Sequence, residues 1–227
     1  MIVVVGLAFE ARIAAGPGVR VICSGDGSEL SETLDRAIET ERGGLVSFGV
    51  AGGLASHLRP GSCVVASEIV SHGTRHATDR SWSRQVLNAL PNAVHAPMLG
   101  VDAPVAHPHH KRTLHEETGA VAVDMESHVV ARAAAAHRLP MIAIRVVTDP
   151  AERSLPRSAL VGMRPDGTTD VGAVMRALSR RPHEFPALMR VALDTRAARA
   201  TLLRSREVLL GPSVGIPNLG ELGFDVA

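Results

Sequence analysis

The chain has 227 residues, 45% hydrophobic and 21% charged, with a formal net charge of +1, which suits one large α/β domain of an ordinary globular protein. The near-neutral balance offers no basic footprint for nucleic acid, and 2% aromatics without a tyrosine give no stacking platform for single strands. Cys23 and Cys63 are too few for a disulfide framework and suit a reducing compartment.

Taken in chain order, the apolar runs are IVVVG (2–6), VRVIC (19–23), GLVSFGV (44–50), CVVASEIV (63–70), VAV (121–123) and PMIAIRVV (140–147). Short Val/Ile-rich runs of this kind predict strands buried on both faces. The amino terminus therefore reads as a first strand and not as a signal peptide, since it lacks a basic segment and soon meets Glu10 and Arg12. No apolar run approaches the roughly 20 residues of a spanning helix, so the expected location is the cytoplasm.

Helices are predicted between the strands. SELSETLDRAIET (28–40) spaces Leu30, Leu34 and Ile38 four apart, SWSRQVLNAL (81–90) is a weaker candidate, and MESHVVARAAAAHRL (125–139) follows Asp124 as an N-cap and stops before Pro140. Alternation of this sort predicts a three-layer α/β domain with helices on both sides of a sheet. After residue 150 the texture changes to a Pro-, Gly-, Arg- and Ser-rich stretch with one short helix, then helices near 170–179 and 184–208. In the last, Leu188, Val191, Ala198 and Leu202 share a face, with Arg190, Arg196, Arg199, Arg204 and Arg206 over the rest. A surface helix packed on the sheet accounts for this pattern; the sharper alternative is a basic amphipathic helix in peripheral contact with a membrane. The closing stretch, GPSVGIPNLGELGFDVA, has no usable periodicity. One domain over 1–227 is expected, with no internal repeat.

Three acidic positions end apolar runs: Glu10, the pair Asp124 and Glu126, and Asp149. Ligands of open α/β sheets bind beyond the carboxyl ends of strands, so these acids could meet at one edge. Arg145 is the nearby cation. Each acid alone has a plain structural reading: Glu10 opens a helix, Asp124 caps one, and Asp149-Pro150 is a turn. GVAGGLASHLRPG (49–61) reads as a Gly-rich strand-to-helix turn that could cradle an anion or a sugar, with SGDG (24–27) a weaker second. It is neither a dinucleotide fingerprint nor a P-loop. The histidines of HPHHKRTLH (107–115) lack a completing carboxylate or cysteine, and Pro108 suggests a surface loop, so no metal is expected. Lys111 is the only lysine, which reads as compositional bias. GxSxG and HExxH are absent.

Taken together, GVAGGL followed by RPG, VAVDMES opening a helix, and RVVTDPA ending the next strand resemble the nucleoside phosphorylase and methylthioadenosine/S-adenosylhomocysteine nucleosidase superfamily. With VGLAFEARIAAGPGV, DMESHVVARAA and RVVTDPAERSLP, the chain looks closer still to the hopanoid-associated phosphorylases, linked to removal of adenine from adenosylhopane. The motif-matched core is 1–155, leaving 156–227 as a divergent helical part. The resemblance implies a phosphorylase/hydrolase-like fold with a mixed, partly barrel-like sheet flanked by helices, a homo-oligomer, and an adenine nucleoside, small or lipid-linked, as substrate. It implies catalytic roles for Asp149 (proton to purine N7), Glu126 (ribose hydroxyls) and Glu10 (attacking water). Met125 would lie against the sugar and Arg145 would orient Asp149 or its loop. Asp124, Thr148, Val50, Ala51, Gly52 and Asp102 complete the expected substrate-binding set.

No cofactor is expected, inorganic phosphate being the one candidate co-substrate. Val50 stands where nucleosidases carry Ser, and of the arginines that could hold phosphate only Arg42, just before GVAGGL, and Arg75 offer themselves. These departures favour water as the acceptor. The region between the first strand and GVAGGL is also shorter than in the nucleosidases, and a more open site would suit a bulky apolar aglycone. Two alternatives remain: a nucleosidase or phosphorylase of small nucleosides, and a non-catalytic nucleoside-binding module.

Overall fold

The computed structural model describes residues 1–24, 27–41, 43–164, 166–211 and 214. The elements run β1 (Ile2–Val5), α1 (Ala8–Ala14), β2 (Arg20–Cys23), α2 (Gly27–Thr40), β3 (Leu45–Gly53), β4 (Cys63–Ser71), β5 (Thr74–Ala77) and α3 (Arg80–Ala89). They continue with β6 (Val94–Gly100), α4 (Pro108–Thr118), β7 (Ala122–Asp124), α5 (Ser127–His137), β8 (Met141–Asp149), α6 (Arg157–Leu160), α7 (Val171–Arg180), a 3₁₀ turn Pro182–Glu184 and α8 (Phe185–Leu209).

The strands form one mixed sheet that closes on itself. β3 pairs with β7, β7 with β6, β6 with β4, β4 with β8, and β8 with β3 again, which makes a five-stranded ring. β1 and β2 extend it along the first half of β3, where Ile2 and Val4 pair with Leu45 and Ser47, and β5 adds a hairpin to β4. β3 is thus shared on one edge: β1 takes Leu45–Ser47 and β7 takes Gly52–Gly53. Between them the backbone of Phe48–Ala51 faces neither strand, and the polar cluster described below occupies that gap.

Strands buried on both faces need two apolar layers. On one side α2 and α5 pack Leu30, Leu34, Ile38, Val129 and Val130 against the sheet. On the other, α1, α3 and α8 supply Ile13, Trp82, Val86, Ala198 and Leu202. The pattern is three-layered, as the continuous apolar runs predict. It also settles the second half of α8, where Ala198, Leu202 and Leu209 are buried as the packed-helix reading requires.

Several expectations change. GVAGG is not a turn but the last part of β3, and a loop leads on to β4 without a helix. Gly49 and Gly52 lie where a Cβ would crowd Glu10 and Asp149 respectively. HPHHKRTLH is not a surface loop: α4 starts with Pro108 in its first turn and ends on Gly119, which is left-handed at φ 72°, the Pro-first, Gly-last arrangement that suits helix ends. β5 carries too few apolar residues in sequence to be anticipated, and His95 and Pro97 interrupt the apolar run of β6. α5 begins at Ser127, two residues later than expected. Gly25 and Asp26 of SGDG, Arg42, and 212, 213 and 215–227 of the closing stretch lie outside the described residues.

Phe48 is fully buried at the centre of β3, within the α1/α3/α8 layer. Phe48→Ala is expected to lower stability by about 3–5 kcal/mol, measured as a shift of the urea midpoint.

Candidate active site

The carboxyl ends of β1 and of β7, which run in opposite senses along β3, meet at the gap in β3, beside the middle of β8. Glu10, in the first turn of α1, turns back over the end of β1: its Oε2 accepts from the backbone N–H groups of Gly6 (3.0 Å) and Leu7 (2.9 Å). Its Oε1 accepts from the N–H of Val50 at 2.7 Å, a donor that the gap in β3 leaves without a strand partner. Asp124 ends β7 and Glu126 precedes α5, and Arg145 reaches both from β8: Nε lies 2.6 Å from Asp124 Oδ2 and Nη2 lies 3.0 Å from Glu126 Oε2. Arg145 also donates to the Ser47 hydroxyl (2.6 Å) and the Val50 carbonyl (3.3 Å). All of these ionised groups are buried.

The backbone is shaped to admit them. Gly49 has φ +149°, and a Cβ there would come 2.5 Å from Glu10 Oε1 and 2.8 Å from Arg145 Nη1. A Cβ on Gly6 would collide with the Glu126 carboxylate. These two positions need glycine for space.

Three acids around one guanidinium leave excess negative charge in a region remote from water. Burial raises the Glu126 carboxyl to about 7, against the pull of Arg145 and with added repulsion from Asp124 and Glu10. Burial also raises Glu10, while Arg145 and the N–H groups of Val50, Leu7 and Gly6 work to lower it. For Arg145, burial works against the cation but Asp124, Glu126 and Glu10 more than offset it, so its pKa rises. Asp124 does serve the helix it precedes: Oδ1 accepts from the N–H of Ser127 at 3.0 Å and Oδ2 from the Ser127 hydroxyl. The formal cap position is Glu126.

Asp149 stands on the other side of β3. Gly52 pairs with Val123 of β7 on one edge and with Asp149 of β8 on the other, so the two acidic groups share one end of the ring. Asp149 is not oriented by Arg145, contrary to expectation; Lys111 holds it. The Lys111 ammonium, fully buried under α4, donates to Asp149 Oδ2 at 2.6 Å, to the carbonyls of Pro150 (3.0 Å) and Arg153 (3.2 Å), and more distantly to that of Asp149 (3.4 Å). Thr148 donates to Oδ1 at 3.1 Å and reaches the Ala51 carbonyl at 3.5 Å. Burial raises the Asp149 carboxyl above its usual range, and Lys111, then Thr148, pull the other way. The expectation of acids with a single cation is therefore corrected: each acidic group has its own.

Lys111 and Ser47 are the site residues that sequence reasoning missed. Both carried a signal. Lys111 is the only lysine of the chain and lies between Pro108 and Gly119, a complete pair of helix-end markers. Ser47 is the one polar residue inside LVSFGV, and a hydroxyl in a doubly buried strand needs a partner; it accepts from Arg145 and from the Ser127 hydroxyl at 2.9 Å.

Met125, between Asp124 and Glu126, lines with Asp102 a cavity of about 380 Å³ that Gly27, Ser28, Ser31 and Arg132 complete. Asp102 is exposed, 3.0 Å from the buried ring of His128 and 3.3 Å from that of His72; burial lowers the pKa of His128. Val50, Ala51 and Gly52 are strand residues that act through backbone and close packing. Arg75 is taken up on β5 by Glu68 and the Thr118 carbonyl and touches none of these acids. Among the described residues no group of three or more His, Cys, Asp or Glu could hold a metal.

A sequence profile of the Phosphorylase superfamily matches residues 5–184. The chain belongs to that superfamily. Similar solved structures include the methylthioadenosine/S-adenosylhomocysteine nucleosidase of Streptococcus pneumoniae with a transition-state inhibitor, at 16% identity and TM-score 0.64, covering 92% of this chain and 98% of that one. The Streptococcus pyogenes S-adenosylhomocysteine nucleosidase with 5-methylthiotubercidin gives the same identity and score over 92% and 96%. The futalosine hydrolase of Helicobacter pylori does so over 92% and 94%. At this identity they establish the fold, a mixed α/β sheet with a closed ring of five strands. No curated protein sequence matches the chain.

Removing one member of a buried ion pair leaves the other uncompensated, at a cost of about 3–5 kcal/mol. In Lys111→Met the Asp149 carboxyl rises further and stays protonated when folded, while the unfolded chain releases that proton above pH ~4. The stability loss of Lys111→Met is therefore expected to grow from pH 5 to pH 8, which thermal denaturation at the two pH values checks. An equal loss at both would mean that Lys111 does not compensate Asp149.

Proposed function

We propose that the chain cleaves the N-glycosidic bond of an adenine nucleoside, with adenosylhopane as substrate and adenine and a ribosylated hopanoid as products. The observation that carries this reading is the division of the acids into two separately compensated groups at one end of the ring, Asp149 with Lys111 and Glu10/Glu126 with Arg145.

Breaking the bond between the sugar C1′ and purine N9 sends the electron pair to adenine and builds positive charge on the ribose, as in other glycoside cleavages. Adenine is a poor anion and needs a proton as the bond lengthens. Because Lys111 already donates to Asp149 Oδ2, the proton of the neutral acid belongs on Oδ1, which also accepts from Thr148 and is the oxygen that passes the proton to N7. Burial favours that neutral form. On the opposite side, Glu126 takes the ribose hydroxyls and, when ionised, stabilises the cationic sugar from a low-dielectric position. Met125 supports the sugar face. Glu10, fixed by three N–H donors and raised by burial, accepts a proton from water as it adds to C1′.

Water is the acceptor that suits this cluster. Arg145 is engaged by Asp124, Glu126, Ser47 and the Val50 carbonyl, so a phosphate dianion there would meet carboxylates without a free cation among the described residues. Arg132, exposed beside Met125, is the cation a phosphate could use instead, and it shares its cavity with Asp102. Methylthioadenosine and related small nucleosides are the alternative substrates, favoured by the half-polar lining of that cavity, Ser28, Ser31 and Asp102.

Adenine release from adenosylhopane and from methylthioadenosine, each with and without phosphate, tests the reading. Release from the former at a rate indifferent to phosphate is expected, as is a loss of about 10²-fold or more in Asp149→Asn; undiminished release by that variant would refute the mechanism. The pH profile gives a second check. Glu126 is raised to about 7, so kcat/KM is expected to rise with pH through about 7 as it ionises, and that limb is expected to vanish in Glu126→Gln.

A further inference from the structure

The carboxyl-terminal helices expose apolar side chains that the rest of the molecule would bury. α7 buries none of its ten residues, and Val171 and Met175 on it are 66% and 58% exposed. The first half of α8 repeats this at spacings of four, with Phe185, Met189 and Leu193 at 54%, 46% and 60%. Single exposed apolar residues are ordinary, but a run of them marks an interaction surface.

The charge around them says what kind of surface it meets. Residues 171–199 contain six arginines and two acids. Both acids are occupied, Glu184 by Arg181 and the Ser158 N–H, and Asp194 by Arg153. Arg180 and Arg190 are exposed and have no ion-pair partner among the described residues, while Arg176, also exposed, feels the charge of Asp170 at the start of α7. A second copy of this chain is a poor occupant, because a two-fold interface sets a patch against itself and would bring arginines against arginines. An anionic lipid surface answers both features, taking up the apolar side chains and neutralising the guanidinium groups.

We infer that α7 and the first half of α8 dock on an anionic bilayer. The segment just before α7 joins this surface to the acid cluster: the Gly167 carbonyl accepts from the Ala8 N–H at 2.9 Å, at the start of the helix that carries Glu10. Docking would therefore place the site beside the lipid from which an apolar nucleoside conjugate is drawn. Only that last consequence rests on the lipid-linked substrate; the docking itself does not.

The test is co-sedimentation of the full chain with vesicles of phosphatidylcholine alone and of phosphatidylcholine mixed with phosphatidylglycerol. Binding to the mixed vesicles only, weakened by salt, is expected. Met175→Glu with Phe185→Glu is expected to abolish it, and Arg176→Glu with Arg180→Glu to weaken it roughly tenfold or more, circular dichroism confirming that both variants fold. Absence of binding, equal binding to neutral vesicles, or unaltered binding by the variants would overturn the inference. So would a dimer, seen by light scattering, that Met175→Glu with Phe185→Glu dissociates, since the face would then belong to a second copy. A failure to release adenine from adenosylhopane would bear on the substrate and leave the vesicle result untouched.

Discussion

Everything at this end of the molecule depends on burying the guanidinium of Arg145. A charge inside a protein is tolerated when it is paired and its donors are satisfied, and Arg145 draws four partners from three elements. Asp124 comes from β7, Glu126 from the start of α5, and Ser47 and the Val50 carbonyl from β3. Those partners can reach it only because β3 changes neighbours between Ser47 and Gly52, opening an edge where N–H and C=O groups seek side chains. The Val50 N–H finds Glu10 and the Val50 carbonyl finds Arg145. A break in strand pairing, which alone would cost stability, is thereby turned into a binding site.

The charge count also explains the titration behaviour. Burial raises the carboxyl of Glu10 and, most clearly, that of Glu126, the latter to about 7, because one guanidinium does not offset the lost hydration of its acidic neighbours. Asp149 follows the same logic in a simpler form, with one acid against one ammonium. Two carboxyl groups in different surroundings can then hold different protonation states at one pH, which is the condition acid–base chemistry needs. Physically, a lysine under one acid and an arginine amid the others separates the tasks of giving a proton and stabilising a cation.

How much of this was legible in sequence depends on whether the signal was local. The buried strands were, because double-sided burial writes continuous apolar runs such as IVVVG and MIAIRVV. The positions of Glu10, Asp124, Glu126 and Asp149 at strand ends were legible too, since each follows such a run. β5 and β6 were not, because the polar composition of TRHA at an edge and the Pro97 of VHAPMLG hide strands whose pairing is decided by distant partners. The role of GVAGG was misjudged because glycines usually mark turns, whereas here Gly49 and Gly52 clear room for Glu10, Arg145 and Asp149 from within a strand. Lys111 was the costliest miss. Its partner lies 38 positions away, and nothing in HPHHKRTLH gives an apolar periodicity from which a buried face could be inferred.

The central claim is that Asp149, held through one oxygen by Lys111, faces the purine with the other. A crystal structure with a bound adenine nucleoside analogue tests it most directly. The account predicts Asp149 Oδ1 within hydrogen-bond distance of purine N7, with the Lys111 contact to Oδ2 retained and the ribose hydroxyls on Glu126. A purine bound with N7 turned away from Asp149, or with its N7 met by a group other than Asp149 Oδ1, would contradict it.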